Sequence, residues 1–234
     1  MKTKGLIPRL WRRTKRVLIV LFLLHFVYIL ILKWVNPPIT LTQIGSLISG
    51  DGLKRDYIDI EDMSPYAKLA FMSAEDQKFP DHNGFDWKSI GKAMDYNKRN
   101  PNKVRGASTI SQQVAKNVFL WQGRSKFRKG LETYFTFMIE LVWSKRRILE
   151  MYMNVSETGK GIFGIEAASQ ALFKKPAKKL SRREAALIAS SLPNPKIYTV
   201  NPLSRYVAEK YPRVMRGMSN LEDDPDIQRL LEVN

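Results

Sequence analysis

The chain has no cysteine in its 234 residues and only two histidines. The first absence excludes a disulfide-stapled scaffold and any thiolate-held zinc or iron–sulfur site. The second excludes a histidine-rich metal centre. Acid is missing from the first 50 residues, which carry eight Lys and Arg and no Asp or Glu. Internal repeats and low-complexity tracts are also lacking. What remains is 44% hydrophobic and 11% aromatic, enough to build a core and unlike a disordered polycation. The length suits one domain of moderate size with a small appendage. The net charge of +17 calls for a polyanionic partner: nucleic acid, an anionic membrane or a phosphorylated substrate.

Where the charge sits narrows that choice. The first 50 residues hold +8, and the remaining +9 is the excess of 31 basic over 22 acidic residues further on. Between Arg16 and Lys33 lies an uncharged run, residues 17–32, VLIVLFLLHFVYILIL. As a helix it spans about 24 Å, and extending it through Lys33 and Trp34 to Val35 brings it to bilayer length, with Lys33 snorkelling and Trp34 at the interface. It is apolar all round, unlike a soluble core helix, and no small-residue cleavage site follows directly, so an uncleaved membrane anchor is expected. Seven basic residues precede the run and one follows it. The positive-inside rule then puts the N-terminus in the cytoplasm and everything after about residue 36 on the far side. Nucleic acid is not expected as a partner for a basic domain facing that way.

Residues 36–63 read as a stalk with one short strand at 56–60. From Ser64 the pattern is almost wholly helical. Ser64-Pro65 opens a helix to about 75, Asp86 one to about 97, and Ser108 one to about 120. Ser125 begins a long apolar helix to 143 and Ser144 the next, to about 154. A short helix covers 166–173, and Ser181-Arg182-Arg183-Glu184 is a capping box for one ending at Leu192-Pro193. One or two weaker helices follow, interrupted by Pro212. From Glu222 the chain has five acids against Arg229.

Three clusters could carry chemistry. Glu75-Asp76-x-x-Phe79-x-x-His82-x-Gly84 ends the first of these helices. The C-terminus of a helix is the wrong end for carboxylates on dipole grounds. A carboxylate beside Phe71 and Phe79 would be partly desolvated, which raises its pKa and suits a general base. The second cluster runs from Gly106 to Asn117. On a helix Gln112 and Lys116 share one face, and Gln113 and Asn117 another, behind a hydroxyl-capped N-terminus suited to anions. The third is a basic run: residues 96–131 hold nine Lys and Arg and no acid. It ends in Arg124, Lys126, Arg128 and Lys129, followed by Glu132, with Glu140 two turns further among apolar neighbours. A buried carboxylate needs a partner. Two carboxylates beside dense positive charge fit a phosphate-bearing sugar.

These clusters, in this order behind an N-terminal anchor, resemble the family 51 glycosyltransferases that polymerise peptidoglycan, in their monofunctional form. Residues 75–84 resemble the first family motif, 106–117 the second, and Arg128-Lys129-x-x-Glu132 the third. Lys145-x-x-Ile148-Leu149-Glu150-x-Tyr152-x-Asn154 resembles the fourth, and Glu184-Ala185-Ala186-Leu187 through Leu192-Pro193-Asn194-Pro195 the fifth. The likeness covers about residues 55–205. It departs from the pattern at Ala107, Ser111 and Leu172, none of them charged.

The resemblance implies a mainly α fold: a lysozyme-like helical lobe with a smaller jaw lobe, preceded by one transmembrane helix. The implied layout is a basic cytoplasmic tail (1–16), the anchor (17–35), a stalk (36–63), the glycosyltransferase domain (64–220) and an acidic tail (221–234). It places the protein in the bacterial inner membrane, with the catalytic domain in the periplasm or outside the cell. Lipid II would be polymerised into β-1,4-linked glycan with inversion and release of undecaprenyl diphosphate. Glu75 would be the general base and Glu132 the second essential carboxylate. Lys116, Arg124, Arg128 and Lys129 would bind the diphosphate, and Asp76, Phe79, His82, Ser108, Thr109, Gln112, Gln113, Asn117 and Glu140 would complete the substrate site. No cofactor is required by the resemblance, though a divalent cation, Mg or Mn, is compatible with the Glu75 and Glu132 side. Membrane lipid and cell-wall synthesis proteins are the other candidate partners. A diphosphate leaves readily, whereas a glycosidase must protonate a basic alkoxide, so positive charge takes the place of a general acid. A lytic transglycosylase on the same fold, or a non-enzymatic membrane-anchored scaffold binding glycan or lipid, are the alternatives. The lytic alternative needs no dense cations at the second carboxylate, and the scaffold predicts no turnover and little effect from replacing a single Glu by Gln. Ser89-x-x-Lys92 lacks Lys-Thr-Gly and Ser-x-Asn companions, and about 40 residues follow the fifth motif, so transpeptidase activity is not expected.

Overall fold

The computed structural model describes residues 6–101, 104–123 and 125–231. It divides into two compact units, residues 1–36 and 37–234. The first is a single helix, α1 (Leu6–Ile31). By length and composition its span Pro8–Ile31 is apolar enough to cross a membrane. Side chains along it, such as Val17, Leu21, Leu24 and Val27, are exposed, as suits a helix made for lipid rather than a protein core. The helix differs from the expected 17–35 at both ends. The basic stretch 9–16 is helical and continuous with the run, because Lys and Arg are good helix formers. At the other end the helix stops at Ile31, before Lys33 and the Pro37-Pro38 pair.

The second unit opens with a helix where a stalk was expected. In α2 (Leu41–Ile48) Thr40 accepts from the Gln43 backbone and the Gln43 side chain returns the bond, a complete capping box. No strand forms at 56–60. Asn154 instead holds Ile58 from both sides, accepting from its N–H at 3.1 Å and donating to its carbonyl at 2.9 Å. That side-chain amide satisfies the backbone without a neighbouring strand. The strand that does form is β1 (Lys54–Arg55).

Helices α3 (Pro65–Glu75), α4 (Trp87–Arg99), α5 (Ile110–Phe119), α6 (Lys126–Val142) and α7 (Lys145–Val155) follow. Next come β2 (Glu157–Gly159), β3 (Ile162–Phe163), α8 (Ile165–Phe173), α9 (Arg182–Ser191), α10 (Arg205–Leu221) and α11 (Pro225–Leu231). The three strands form one small sheet in the order β1-β3-β2, β1 parallel and β2 antiparallel to β3. The fold is thus mainly α, as expected, and consistent with a lysozyme-like helical lobe.

Two packing groups share the chain. In one, α9 and α10 flank α3, whose residues 67–73 are all buried. In the other, α5 packs on α2, α6 and α7, and α7 also reaches α3. Gly217 sets the α3–α10 approach: a Cβ there would lie 2.2 Å from Ser73 Oγ, which donates to the Val214 carbonyl at 2.9 Å. Gly84, at φ +86°, sits where a Cβ would meet Thr136 Cγ2 at 2.8 Å, so the loop after α3 lies tight on α6.

Three further differences have local causes. The cap of α5 is Thr109 rather than Ser108, because Thr109 completes a capping box with Gln112. Helix α10 runs through Pro212 without a break. Residues 222–231 are no free acidic tail: Asp224 accepts from the Asp226 and Ile227 amides, and α11 buries Ile227, Leu230 and Leu231. Helix α6 is also less buried than expected, since Phe127, Phe137 and Leu141 are exposed. Its two glutamates nonetheless face inward, with side chains only 4% and 8% exposed.

Candidate active site

Glu75 is the last residue of α3, and its side chain is 14% exposed. Three other helices shape its surroundings. Gln113 of α5 donates from Nε2 to Glu75 Oε2 at 2.7 Å, and Tyr152 of α7 donates its hydroxyl to Gln113 Oε1 at 3.2 Å. Lys210 of α10 brings Nζ to 4.0 Å from Glu75 Oε1. Burial pushes the Glu75 carboxyl above its ordinary value, and the Gln113 bond and the charges of Lys210 and Lys116 hold it back. A carboxylate so treated suits proton abstraction.

Lys116, one turn after Gln113 on α5, is pushed below the usual lysine value by burial, while Glu132 and Glu75 pull it back up. It therefore feels both carboxylates at once. Among the described residues no ion pair occupies its ammonium, which leaves it for a ligand. Glu132 is fully engaged: Arg128 Nη1 reaches Oε2 at 2.9 Å and Lys129 Nζ reaches Oε1 at 2.5 Å. Arg128 is fixed further by its Nε bond to the Gly123 carbonyl at 2.8 Å. Arg124 lies outside the described residues.

Two open cavities adjoin this centre. One, of about 190 Å³, is lined by Gln113, Lys116, Asn117, Tyr152, Glu157 and Lys196. The other, of about 280 Å³, is lined by Glu75, Asp76, Lys78, Asp86, Ser108 and Thr109. The Glu75–Gln113 hydrogen bond links a side chain lining the second cavity to one lining the first.

The amino-acid sequence matches the transglycosylase family over residues 41–219. The chain belongs to the transglycosylase family. It is 48% identical over 222 residues to the biosynthetic peptidoglycan transglycosylase of Yersinia pseudotuberculosis serotype O:3 (strain YPIII), covering 92% of each chain. It is 48% identical over 220 residues to the protein of the same name from Yersinia pestis (strain Pestoides F), covering 91% of each. The family match takes in every residue of the expected site, and the fold sorts those residues into two groups.

Glu75, Ser108, Thr109, Gln113, Lys116 and Asn117 line the cavities, with Arg128, Lys129 and Glu132 beside Lys116. The others mainly hold the walls. Gln112 is buried and spends its side chain on the Thr109 amide at 3.0 Å. Asp76 reaches the second cavity, but its Oδ2 accepts from the Ile110 amide at 3.0 Å and its carboxylate is bridged by His82 Nε2. Glu140 is held by Ser111 and by Lys145, the latter at 2.8 Å, and Lys145 also donates to the His82 carbonyl. Phe79 is fully buried beneath the Lys145 ammonium. Together these side chains fasten the loop after α3 to α5 and α6.

Sequence reasoning missed Lys210, Glu157 and Lys196. Lys210 lies beyond the last recognisable motif, and nothing in its local sequence marks it. Lys196 directly follows the fifth motif and Glu157 lies three residues after the fourth, a proximity that could have flagged them. Glu157 is raised by burial, and its Oε1 lies 3.7 Å from Lys196 Nζ.

A divalent cation fits these side chains poorly. Among the described residues no three His, Asp or Glu come together as a metal site. Both oxygens of Glu132 already face cations.

Proposed function

We propose that this protein polymerises lipid II into β-1,4-linked glycan, with Glu75 as general base. The observation that carries the reading is the Glu75 carboxylate, desolvated and hydrogen-bonded by Gln113, with Lys116 acting both on it and on the Glu132 that Arg128 and Lys129 hold. Glu75 takes the proton of the acceptor's sugar 4-hydroxyl as that oxygen attacks the anomeric carbon of the lipid-linked donor. The carbon–oxygen bond to the diphosphate breaks, and the undecaprenyl diphosphate leaves with the electron pair. Configuration inverts because attack and departure take opposite faces. Lys116 and the Arg128–Lys129 pair, with Arg124, supply charge to the leaving diphosphate, and Glu132 keeps Arg128 and Lys129 in place. Ser108 and Thr109, lining the second cavity, and Asn117, lining the first, complete the substrate site.

The anchor holds the enzyme beside its lipid-linked substrate in the inner membrane. The seven basic residues before the span keep the N-terminus cytoplasmic and set the catalytic unit in the periplasm. Cell-wall synthesis proteins are the expected partners there. The test is incubation of purified protein with labelled lipid II in detergent or vesicles. Chain growth that vanishes in Glu75→Gln supports the proposal. Untouched lipid II, together with short muropeptides released from finished sacculi, would move the protein to the lytic alternative.

A further inference from the structure

Tyr152 is a buried side chain whose ring meets Phe71 edge-on, with centroids 5.9 Å apart. Packing alone would be served as well by phenylalanine. The hydroxyl, however, donates to Gln113 Oε1 at 3.2 Å, and the other end of that amide donates to Glu75 Oε2 at 2.7 Å. A primary amide has one end that only accepts and one that only donates. A phenol donating to the oxygen therefore fixes which end faces the carboxylate. With Nε2 toward Glu75 the amide supports the ionised carboxylate. Turned about, Oε1 would face Glu75 and favour the protonated acid, which has no base function.

We infer that Tyr152 is a positioning residue that, by fixing the orientation of the Gln113 amide, keeps Glu75 in its proton-accepting form. This inference rests on the reading of Glu75 as general base and adds what sets its basicity. Among the described residues Gln113 is the one hydrogen-bond donor to Glu75. The charges facing Glu75 are Lys210 from α10 and Lys116 from α5, which favour ionisation, and the adjoining Asp76, which opposes it. Tyr206 of α10 and Tyr152 itself also feel the carboxylate; burial raises both phenols, so they stay neutral donors across the working pH range. The two lysines act as charges at a distance, with Lys210 4.0 Å away. The amide is the directional contact and the one a single hydroxyl can control.

The experiment compares pH–rate profiles for lipid II polymerisation by the full-length chain and its Tyr152→Phe, Gln113→Leu, doubly substituted and Glu75→Gln variants. Tyr152→Phe is expected to move the acid limb upward by about half to one pH unit, with the rate recovering above it. Gln113→Leu should raise the same limb, and adding Tyr152→Phe to it should move the limb no further. A Tyr152→Phe protein that melts cooperatively and keeps the wild-type limb overturns the inference, as does a Gln113→Leu limb that stays put should Tyr152→Phe not fold. Polymerisation by Glu75→Gln would overturn the base reading itself and this inference with it. An inactive Glu75→Gln beside an unmoved Tyr152→Phe limb refutes the amide relay alone.

Discussion

Lys210 Nζ stands 4.0 Å from Glu75 Oε1, within reach of attraction but beyond a hydrogen bond. The lysine is itself held below its ordinary value by burial, with Glu75 pulling it back up. The charge acts on the carboxylate without tying up a lone pair, which leaves Oε1 open to a substrate proton. Lys210→Gln should remove that charge and let burial push Glu75 higher still. The acid limb of the rate profile should rise and polymerisation at neutral pH should fall about tenfold for each pH unit the limb moves past the assay pH. Lys210→Arg should restore most of the activity. A profile identical to wild type in Lys210→Gln would leave the lysine a bystander.

Glu75 should also be costly to stability. Its folded pKa lies above the ordinary 4.5. Its contribution is therefore fully present below that value and is lost as pH rises through the raised folded pKa. Glu75→Gln keeps the shape and lets Gln113 donate to an amide oxygen. The variant should match wild type near pH 4 and melt at higher temperature than wild type once the pH has passed through the raised folded pKa, while making no glycan. Scanning calorimetry across that range checks it; a variant less stable than wild type at pH 7 contradicts it.

How much of this centre was legible beforehand follows from which interactions are local. Caps are local, so Ser64, Asp86, Ser125, Ser144 and Ser181 mark helix starts that the fold keeps. Thr40-x-x-Gln43 carries the same signature and was passed over because a stalk was expected there. The pattern Gln112-Gln113-x-x-Lys116-Asn117 puts two amides on two faces of one helix without saying what either meets. Only the fold shows that Gln112 turns back to cap its own helix while Gln113 crosses to α3. Lys210 reaches Glu75 solely because α10 packs on α3 at Gly217, a contact between segments far apart in sequence.

That contact gives a structural prediction. Gly217→Ala would set a methyl 2.2 Å from Ser73 Oγ. Helix α10 must then move outward, at a cost of about 1–3 kcal/mol, and Lys210 moves with it. The acid limb should shift as in Lys210→Gln. Ser73→Ala removes the nearest atom and gives up one hydrogen bond, the bond to the Val214 carbonyl. The Ser73→Ala, Gly217→Ala pair should therefore be more stable than Gly217→Ala alone. Thermal melts of the three variants decide it, and an additive pair would show that Ser73 is not the obstacle.

Glu132 is expected to act through the cations it holds. Its two oxygens are taken by Arg128 and Lys129, and its side chain is 4% exposed. Glu132→Gln keeps the volume but leaves a buried guanidinium without its counter-charge, at a cost on the order of 1–3 kcal/mol. The protein should still fold. Polymerisation should be lost, because Arg128 and Lys129 would no longer be held toward the diphosphate. A lower melting temperature with wild-type chain growth would reduce Glu132 to a scaffold residue.

The helix α1 sets the last expectation. Its apolar side chains from Val17 to Ile31 are largely exposed, and basic residues fill the turns before them. Such a helix has no reason to be apolar on all sides unless lipid surrounds it. Removing residues 1–36 deletes a whole compact unit and should leave residues 37–234 folded. The shortened protein should still polymerise lipid II presented in detergent micelles. On lipid II embedded in vesicles its rate should fall tenfold or more at equal bulk concentration, since the anchor confines enzyme and substrate to one surface. Equal rates on vesicles for the two forms would show that the catalytic unit finds the bilayer without its helix.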